Sequence, residues 1–155
     1  MIQVRVSLGY DRHILVGATN GIVVLSGVKF ACSFSVVAHS DGDAVFHAAA
    51  DAISSAFLNK TIGELFPDTD AKWSGFDSSF FLREAYSKSG KPPIESLDVV
   101  VVSDQIMLRD RIGEMRANLA KALNIDCDRI SMKGRRKEDA GATPAMECFC
   151  TILFS

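Results

Sequence analysis

Residues 43–58 read Asp-Ala-Val-Phe-His-Ala-Ala-Ala-Asp-Ala-Ile-Ser-Ser-Ala-Phe-Leu, and they decide the class of fold. Val45, Ala49, Ala52, Ile53, Ala56 and Phe57 recur at helical spacings in an alanine-rich segment, so a helix is predicted here. Ser40 or Asp41 stands upstream as its expected N-cap. On both sides the period changes. Ile2, Val4, Val6 and Leu8 alternate along Met1 to Leu8, and Gly21 to Phe30 is β-branched and apolar with Gly27 in its middle. Two strands are expected there, the second bulged. Downstream, Leu65 to Gly75 has turn chemistry and reads as a loop, and Asp77 caps a helix reaching about Lys88. Lys91-Pro92-Pro93 breaks that helix. Leu97 to Val102 reads as a strand buried on both faces, Arg111 to Leu123 as a helix, and Ile130 to Lys133 and Met146 to Phe154 as two last strands. Interleaved strands and helices place the chain in the α+β class. The expectation is one domain over residues 1–155, with a four- to five-stranded mixed sheet covered on one face by helices, ferredoxin-like in arrangement.

Size and charge agree with that outline. A chain of 155 residues, 48% of them hydrophobic, can bury one continuous core without staples. Seventeen basic residues stand against nineteen acidic ones, so nothing favours nucleic acid or a membrane surface as a general partner. No stretch is long enough to span a bilayer and the start does not resemble a secretory signal. Four cysteines, Cys32, Cys127, Cys148 and Cys150, lie in apolar strand-like contexts and suit a reducing compartment. A cytoplasmic location is expected.

The three histidines of the chain all lie near aspartates: Asp11-Arg12-His13, His39-Ser40-Asp41-Gly42-Asp43, and His47 within the first helix. In an extended segment, residues two apart share a face, so Asp11 and His13 can point together at one ion and His47 can add a third ligand. Three ligands leave one tetrahedral position open. That is the mark of a catalytic zinc, able to polarise a phosphoryl or carbonyl oxygen. The competing reading makes Asp11 a turn residue, His13 a surface residue and His47 a hydrogen-bonded core histidine. His39 to Asp43 opens a helix, where unpaired backbone N–H groups suit a phosphate, although simple capping by Ser40 or Asp41 explains the same residues. Asp51, four residues after His47, is either the carboxylate that orients its imidazole or a solvated helix charge. Cys148 and Cys150 share a strand face and read as core packing. Lys133 to Lys137 carries the one basic cluster, a solvated loop or a phosphate contact.

Taken together, Gly9-Tyr10-Asp11-Arg12-His13, Ala38-His39-Ser40-Asp41-Gly42-Asp43 with His47 and Asp51, and Ile62-Gly63-Glu64-Leu65-Phe66-Pro67-Asp68-Thr69-Asp70 resemble the 2-C-methyl-D-erythritol 2,4-cyclodiphosphate synthase family. The resemblance implies that Asp11, His13 and His47 bind one Zn2+ per chain. It implies that His39, Ser40 and Asp43 meet substrate phosphate, and that Ile62, Gly63, Phe66, Asp68 and Asp70 meet the erythritol. Glu138 matches a glutamate that holds a second divalent ion, Mg2+ or Mn2+, on the substrate diphosphate. The family's reaction is the cyclisation of 4-diphosphocytidyl-2-C-methyl-D-erythritol 2-phosphate with release of CMP. Its members are homotrimers whose active sites lie between neighbouring subunits.

The second half of the chain departs from the family pattern. Leu8 stands for a histidine and Thr61 for an acidic residue, Ile106-Met107-Leu108 replaces Pro-Lys-aliphatic, and Gly134-Arg135-Arg136-Lys137 replaces Ala-Thr-Thr. Ala142-Thr143-Pro144-Ala145 replaces the closing Thr-Gly-Arg. Lys133, Arg135 and Arg136 are therefore the expected replacements on the nucleotide phosphates, and His39, Ser40, Arg136 and Glu138 the expected catalytic groups. Two functions stay open at this point: a divergent cyclase, and a catalytically idle zinc-bearing trimer that binds a phosphorylated or isoprenoid-diphosphate ligand.

Overall fold

The structure is a computed structural model that describes residues 4–155; the expectation for Ile2 lies outside them. The described residues open with one strand, β1 (Arg5–Leu25), which turns directly into β2 (Val28–Val36). Ser26 and Gly27 have φ of 49° and 72°, and Leu25 pairs with Val28. Positive φ at both central residues of a two-residue loop is the hairpin geometry that follows the twist of the flanking strands. This corrects the expectation of two short strands with Gly27 inside the second. Asp11 and His13 consequently lie within β1, not after it.

Four helices follow: α1 (Ala44–Leu58), the single turn α2 (Ile62–Leu65), α3 (Ser78–Lys88) and, beyond β3 (Ile94–Val102), α4 (Ile112–Leu123). The chain ends with β4 (Ile130–Arg135) and β5 (Ala145–Phe154). The expected loop at Leu65 to Gly75 is largely that, with one 3-10 turn at Ala71–Trp73. Thr61 accepts from the N–H of Glu64 at 3.3 Å while Glu64 accepts from the N–H of Thr61 at 2.7 Å, so the residue that departs from the family pattern is half of a capping box.

The five strands form one mixed sheet in the order β2-β1-β5-β3-β4, with β3–β4 parallel and the other pairs antiparallel. After the opening hairpin the elements run helix, strand, helix, strand, strand. The ferredoxin-like order is β–α–β–β–α–β, so the connectivity corrects that expectation even though the class is α+β. Helices cover one face. Leu97, Val99 and Val101 of β3 and Cys148, Cys150, Ile152 and Phe154 of β5 point into it and are at most 1% exposed. Val100 and Val102 point to the other face, where no helix of the described residues packs. The expectation that β3 is buried on both sides therefore fails for a single chain. Val6 and Leu8, 63% and 60% exposed, stand on that same open face.

α1 lies against β1 and β5 because Gly9 lets it. A Cβ built on Gly9 would stand 1.9 Å from the carbonyl oxygen of Ala48 and 2.6 Å from the nitrogen of Ala52. Only a glycine permits that approach of helix backbone to strand. It brings His47 over the face of β1 that carries Asp11 and His13.

Candidate metal centre and active site

Asp11 and His13, two apart on β1, point to the helix-covered face, and His47 reaches them from the first turn of α1. The Nε2 of His13 is 2.8 Å from Oδ2 of Asp11, the Nδ1 of His47 is 3.4 Å from the same oxygen, and the two nitrogens are 3.4 Å apart. A zinc ion with bonds of roughly 2.0–2.1 Å places tetrahedral ligand atoms about 3.3 Å from one another. The triangle has that size. Asp11 Oδ2 is also buried without an aligned hydrogen-bond donor, the 2.8 Å approach of His13 included. An orphaned carboxylate oxygen beside two imidazoles is a donor set that fits a divalent cation. Among the described residues this is the one group of three or more such side chains that converge.

Electrostatics follow from the same contacts. Burial acts to raise the Asp11 carboxyl, but the two imidazoles beside it outweigh burial and lower it below the ordinary carboxylate range. Burial acts to lower His47, and Asp11, with Asp43 and Asp41 behind it, raises it overall.

The cluster stands in the wall of a cavity of about 360 Å³. His39, Ser40, Ile62, Gly63, Phe66, Asp68 and Asp70, all expected at the site, line it. Trp73, Ser74 and Phe81 line it as well and carried no signal in the sequence. Asp43 does not line it. Its side chain is fully buried and accepts from the N–H groups of Ser26 and Gly27 at 2.8 and 2.7 Å and of Val45 and Phe46 at 3.1 and 3.2 Å. Asp43, not Ser40 or Asp41, is the N-cap of α1, and it clamps the β1–β2 turn to the helix. This removes Asp43 as a substrate contact. The cap engages the N–H groups of Val45 and Phe46, two of those on which a phosphate was expected. Within the loop, Gly42 donates to Ser40 Oγ and Asp43 to Asp41 Oδ1, each at 3.1 Å.

The orienting partner of His47 is a second correction. Asp51 accepts from the N–H of Tyr10 at 3.3 Å and makes no hydrogen bond to the imidazole. Nε2 of His47 lies instead 2.9 Å from the hydroxyl of Ser78, whose hydroxyl and N–H also bond to Asp41. No local pattern singles out Ser78, since its neighbour Asp77 explains the start of α3. Cys148 and Cys150 are core residues as expected, and burial pushes the Cys150 thiol up to about 12.

The nucleotide-side residues lie elsewhere. A second cavity of about 430 Å³ is lined by Ile106, Met107, Leu108, Arg109, Lys133, Gly134, Arg135 and Arg136 among others, and shares no residue with the first. The ammonium of Lys133, at the same cavity, is paired with Asp98 at 2.8 and 2.9 Å. Glu138 lines neither of these two cavities and is exposed at φ 57°, with its N–H directed to Asp104.

Comparison with known proteins agrees with this geometry. The curated 2-C-methyl-D-erythritol 2,4-cyclodiphosphate synthase of Aquifex aeolicus is 34% identical over 154 residues, 98% of this chain and 97% of that protein. A solved 2C-methyl-D-erythritol-2,4-cyclodiphosphate synthase in a CDP-bound form superposes with a TM-score of 0.87 at 30% identity, covering 97% of this chain and all of the other. A Plasmodium falciparum relative solved as a CDP complex gives a TM-score of 0.80 at 32% identity, over 97% and 94% of the two chains. The YgbB family model matches residues 4–155. A match that spans both cavities and every strand of the sheet means that the chain belongs to the YgbB family.

Proposed function

We propose that this chain is a 2-C-methyl-D-erythritol 2,4-cyclodiphosphate synthase, a lyase of the non-mevalonate isoprenoid pathway. It cyclises 4-diphosphocytidyl-2-C-methyl-D-erythritol 2-phosphate and releases CMP. The observation that carries this reading is the convergence of Asp11, His13 and His47 at one wall of a cavity whose other walls bear His39, Ser40, Ile62, Gly63, Phe66 and Asp68.

Asp11, His13 and His47 would hold a zinc ion with one position open; bound there, it polarises a phosphoryl oxygen and offsets negative charge. The remaining work is orientation. Ser40 Oγ accepts from Gly42, which leaves the hydroxyl proton free to donate to a substrate phosphate, and exposed His39 supplies a second donor beside it. Asp68 accepts from the erythritol hydroxyls, while Asp70 is tied to Lys72 at 3.0 Å and shapes the loop. Phe66 and Ile62 form an apolar wall. An oxygen of the 2-phosphate bonds to the β-phosphorus, the bond from that phosphorus to the bridging oxygen breaks, and CMP leaves with the electron pair. Nucleophile and target belong to one molecule, so holding it folded supplies much of the rate.

In this reading Arg135 and Arg136, which make no ion pair among the described residues, hold the nucleotide phosphates. Glu138 would hold Mg2+ or Mn2+ on the substrate diphosphate; among the described residues no other ligating side chain is grouped with it. The two cavities of one chain are separate, so a complete site takes one cavity from each of two copies. A homotrimer closed over the open sheet face of β1, β5 and β3 satisfies this and buries Val6 and Leu8. No described helix is long and apolar enough to cross a membrane.

Incubation with the diphosphocytidyl substrate and zinc plus magnesium tests the proposal. Release of CMP with formation of the cyclic diphosphate is expected. Zinc binding without CMP release would identify an idle metal-bearing relative instead.

A further inference from the structure

Ser78 is the first residue of α3 and is fully buried, yet it does not cap the helix. Asp77 does that by accepting from the N–H of Phe80 at 2.9 Å. The Ser78 hydroxyl turns back toward the metal cluster, 31 residues away in sequence, and sits between Asp41 Oδ1 and His47 Nε2.

Counting protons decides what it does there. Asp41 is surrounded by donors: the N–H of Asp43 at 3.1 Å, the N–H of Ser78 at 3.2 Å, and the Ser78 hydroxyl. A carboxylate in that setting only accepts, so the single hydroxyl proton of Ser78 goes to Asp41. The hydroxyl oxygen is then left to accept from His47, 2.9 Å away. A neutral imidazole has one N–H, and here it must be on Nε2. Nδ1 is therefore the nitrogen with the free lone pair. It is the same atom that stands 3.4 Å from Asp11 Oδ2 and from His13 Nε2.

We propose that Ser78, held in place by Asp41, is a positioning residue that sets His47 in its Nε2–H tautomer and so presents Nδ1 to the metal. The proposal rests on the metal-site reading above. It assigns a role to a serine in a segment otherwise explained as a helix start, and it makes the loop that carries His39 and Ser40 responsible for the metal ligand as well. A serine that merely tied α3 to that loop would leave the proton on His47 undetermined. Partners of this kind behind metal-bound histidines change metal affinity by about 10–100-fold when removed.

The test uses the full chain. Zinc affinity is measured by competition with a chromophoric chelator for wild type, Ser78→Ala and Ser78→Thr, and thermal unfolding is followed for each. The nitrogen-15 shifts of His47 are recorded on metal-free wild type at about pH 9, above the ordinary histidine range. Expected are Nε2–H in wild type, zinc binding about 10–100-fold weaker in Ser78→Ala, and recovery of most of that loss in Ser78→Thr, which keeps the hydroxyl. A folded Ser78→Ala that binds zinc as tightly as wild type overturns the proposal, and so does an Nδ1–H tautomer in wild type. Should Ser78→Ala fail to fold, the wild-type tautomer decides alone. A wild type that binds no zinc defeats the metal site, and the tautomer still decides for or against Ser78.

Discussion

The Nε2 of His13 and the Nδ1 of His47 lie 3.4 Å apart although 34 residues separate them in the chain. The two rings, tilted by 58°, converge on the carboxylate of Asp11 from different elements, one from the sheet and one from the helix packed upon it. A triangle of that size leaves room for one ion about 2 Å from all three atoms. Metal analysis of the purified protein should find about one zinc per chain, and His47→Ala should reduce it to a trace. Equal zinc in both would remove His47 from the site. Neutral imidazole is the ligand, so zinc should leave as pH falls through about 6.

Gly9 controls how closely α1 approaches β1. Gly9→Ala places a methyl group against the backbone of Ala48 and Ala52, so α1 must lift from the sheet. Stability should fall by about 1–3 kcal/mol or more, the range for overpacking, and zinc affinity should fall with it because His47 moves with the helix. Urea unfolding and zinc titration check this. An unchanged unfolding midpoint would mean that the close approach is not maintained in solution.

Asp43 should shape the dependence of stability on pH. Burial pushes its carboxyl up to about 6, against backbone donors that favour the charged form. The folded value lies above the unfolded one of about 3.9, so its contribution is full below about pH 4 and is lost as pH rises through about 6. The wild type minus Asp43→Asn difference in unfolding free energy should therefore decline between those values. At pH 7, Asp43→Ala should destabilise by about 2–4 kcal/mol, through a lost cap and the orphaned N–H of buried Ser26. A difference that is flat from pH 4 to 7 would contradict the shift.

Arg136 stands at the second cavity where the family pattern has a threonine. Guanidinium gives two parallel donors to a phosphate and stabilises charge on the leaving group. Arg136→Ala should lower CMP release by roughly a hundredfold, as for loss of one transition-state donor, and leave zinc content unchanged. Release at the wild-type rate would make the basic stretch a solvated loop.

The open sheet face predicts assembly. Light scattering at micromolar concentration should give three times the chain mass of 16.8 kDa, and a charged substitution at Val6, 63% exposed in one chain, should dissociate it. A monomeric wild type would sink the shared active site.

Short-range periodicity alone carries part of this fold. The starts of α1 and α3 and the course of β3, α4 and β5 were legible within a few residues, because helical and alternating patterns are properties of ten to fifteen neighbours. The candidate metal triad was legible because Asp11 and His13 share a strand face at any register, and the loop residues because their motif is long. Tertiary contact decided the rest. Ser40, Asp41 and Asp43 are locally equivalent caps for α1, and the turn at Ser26-Gly27 selects Asp43 by offering it two further donors. That turn was itself hidden inside an apolar run, since β1 and β2 are separated by pairing and not by composition. Ser78 becomes visible only when α3 packs on α1, and the ion pair of Lys133 forms only because β3 places Asp98 beside it. Each of these choices depends on a partner far away in the chain, which no local window contains.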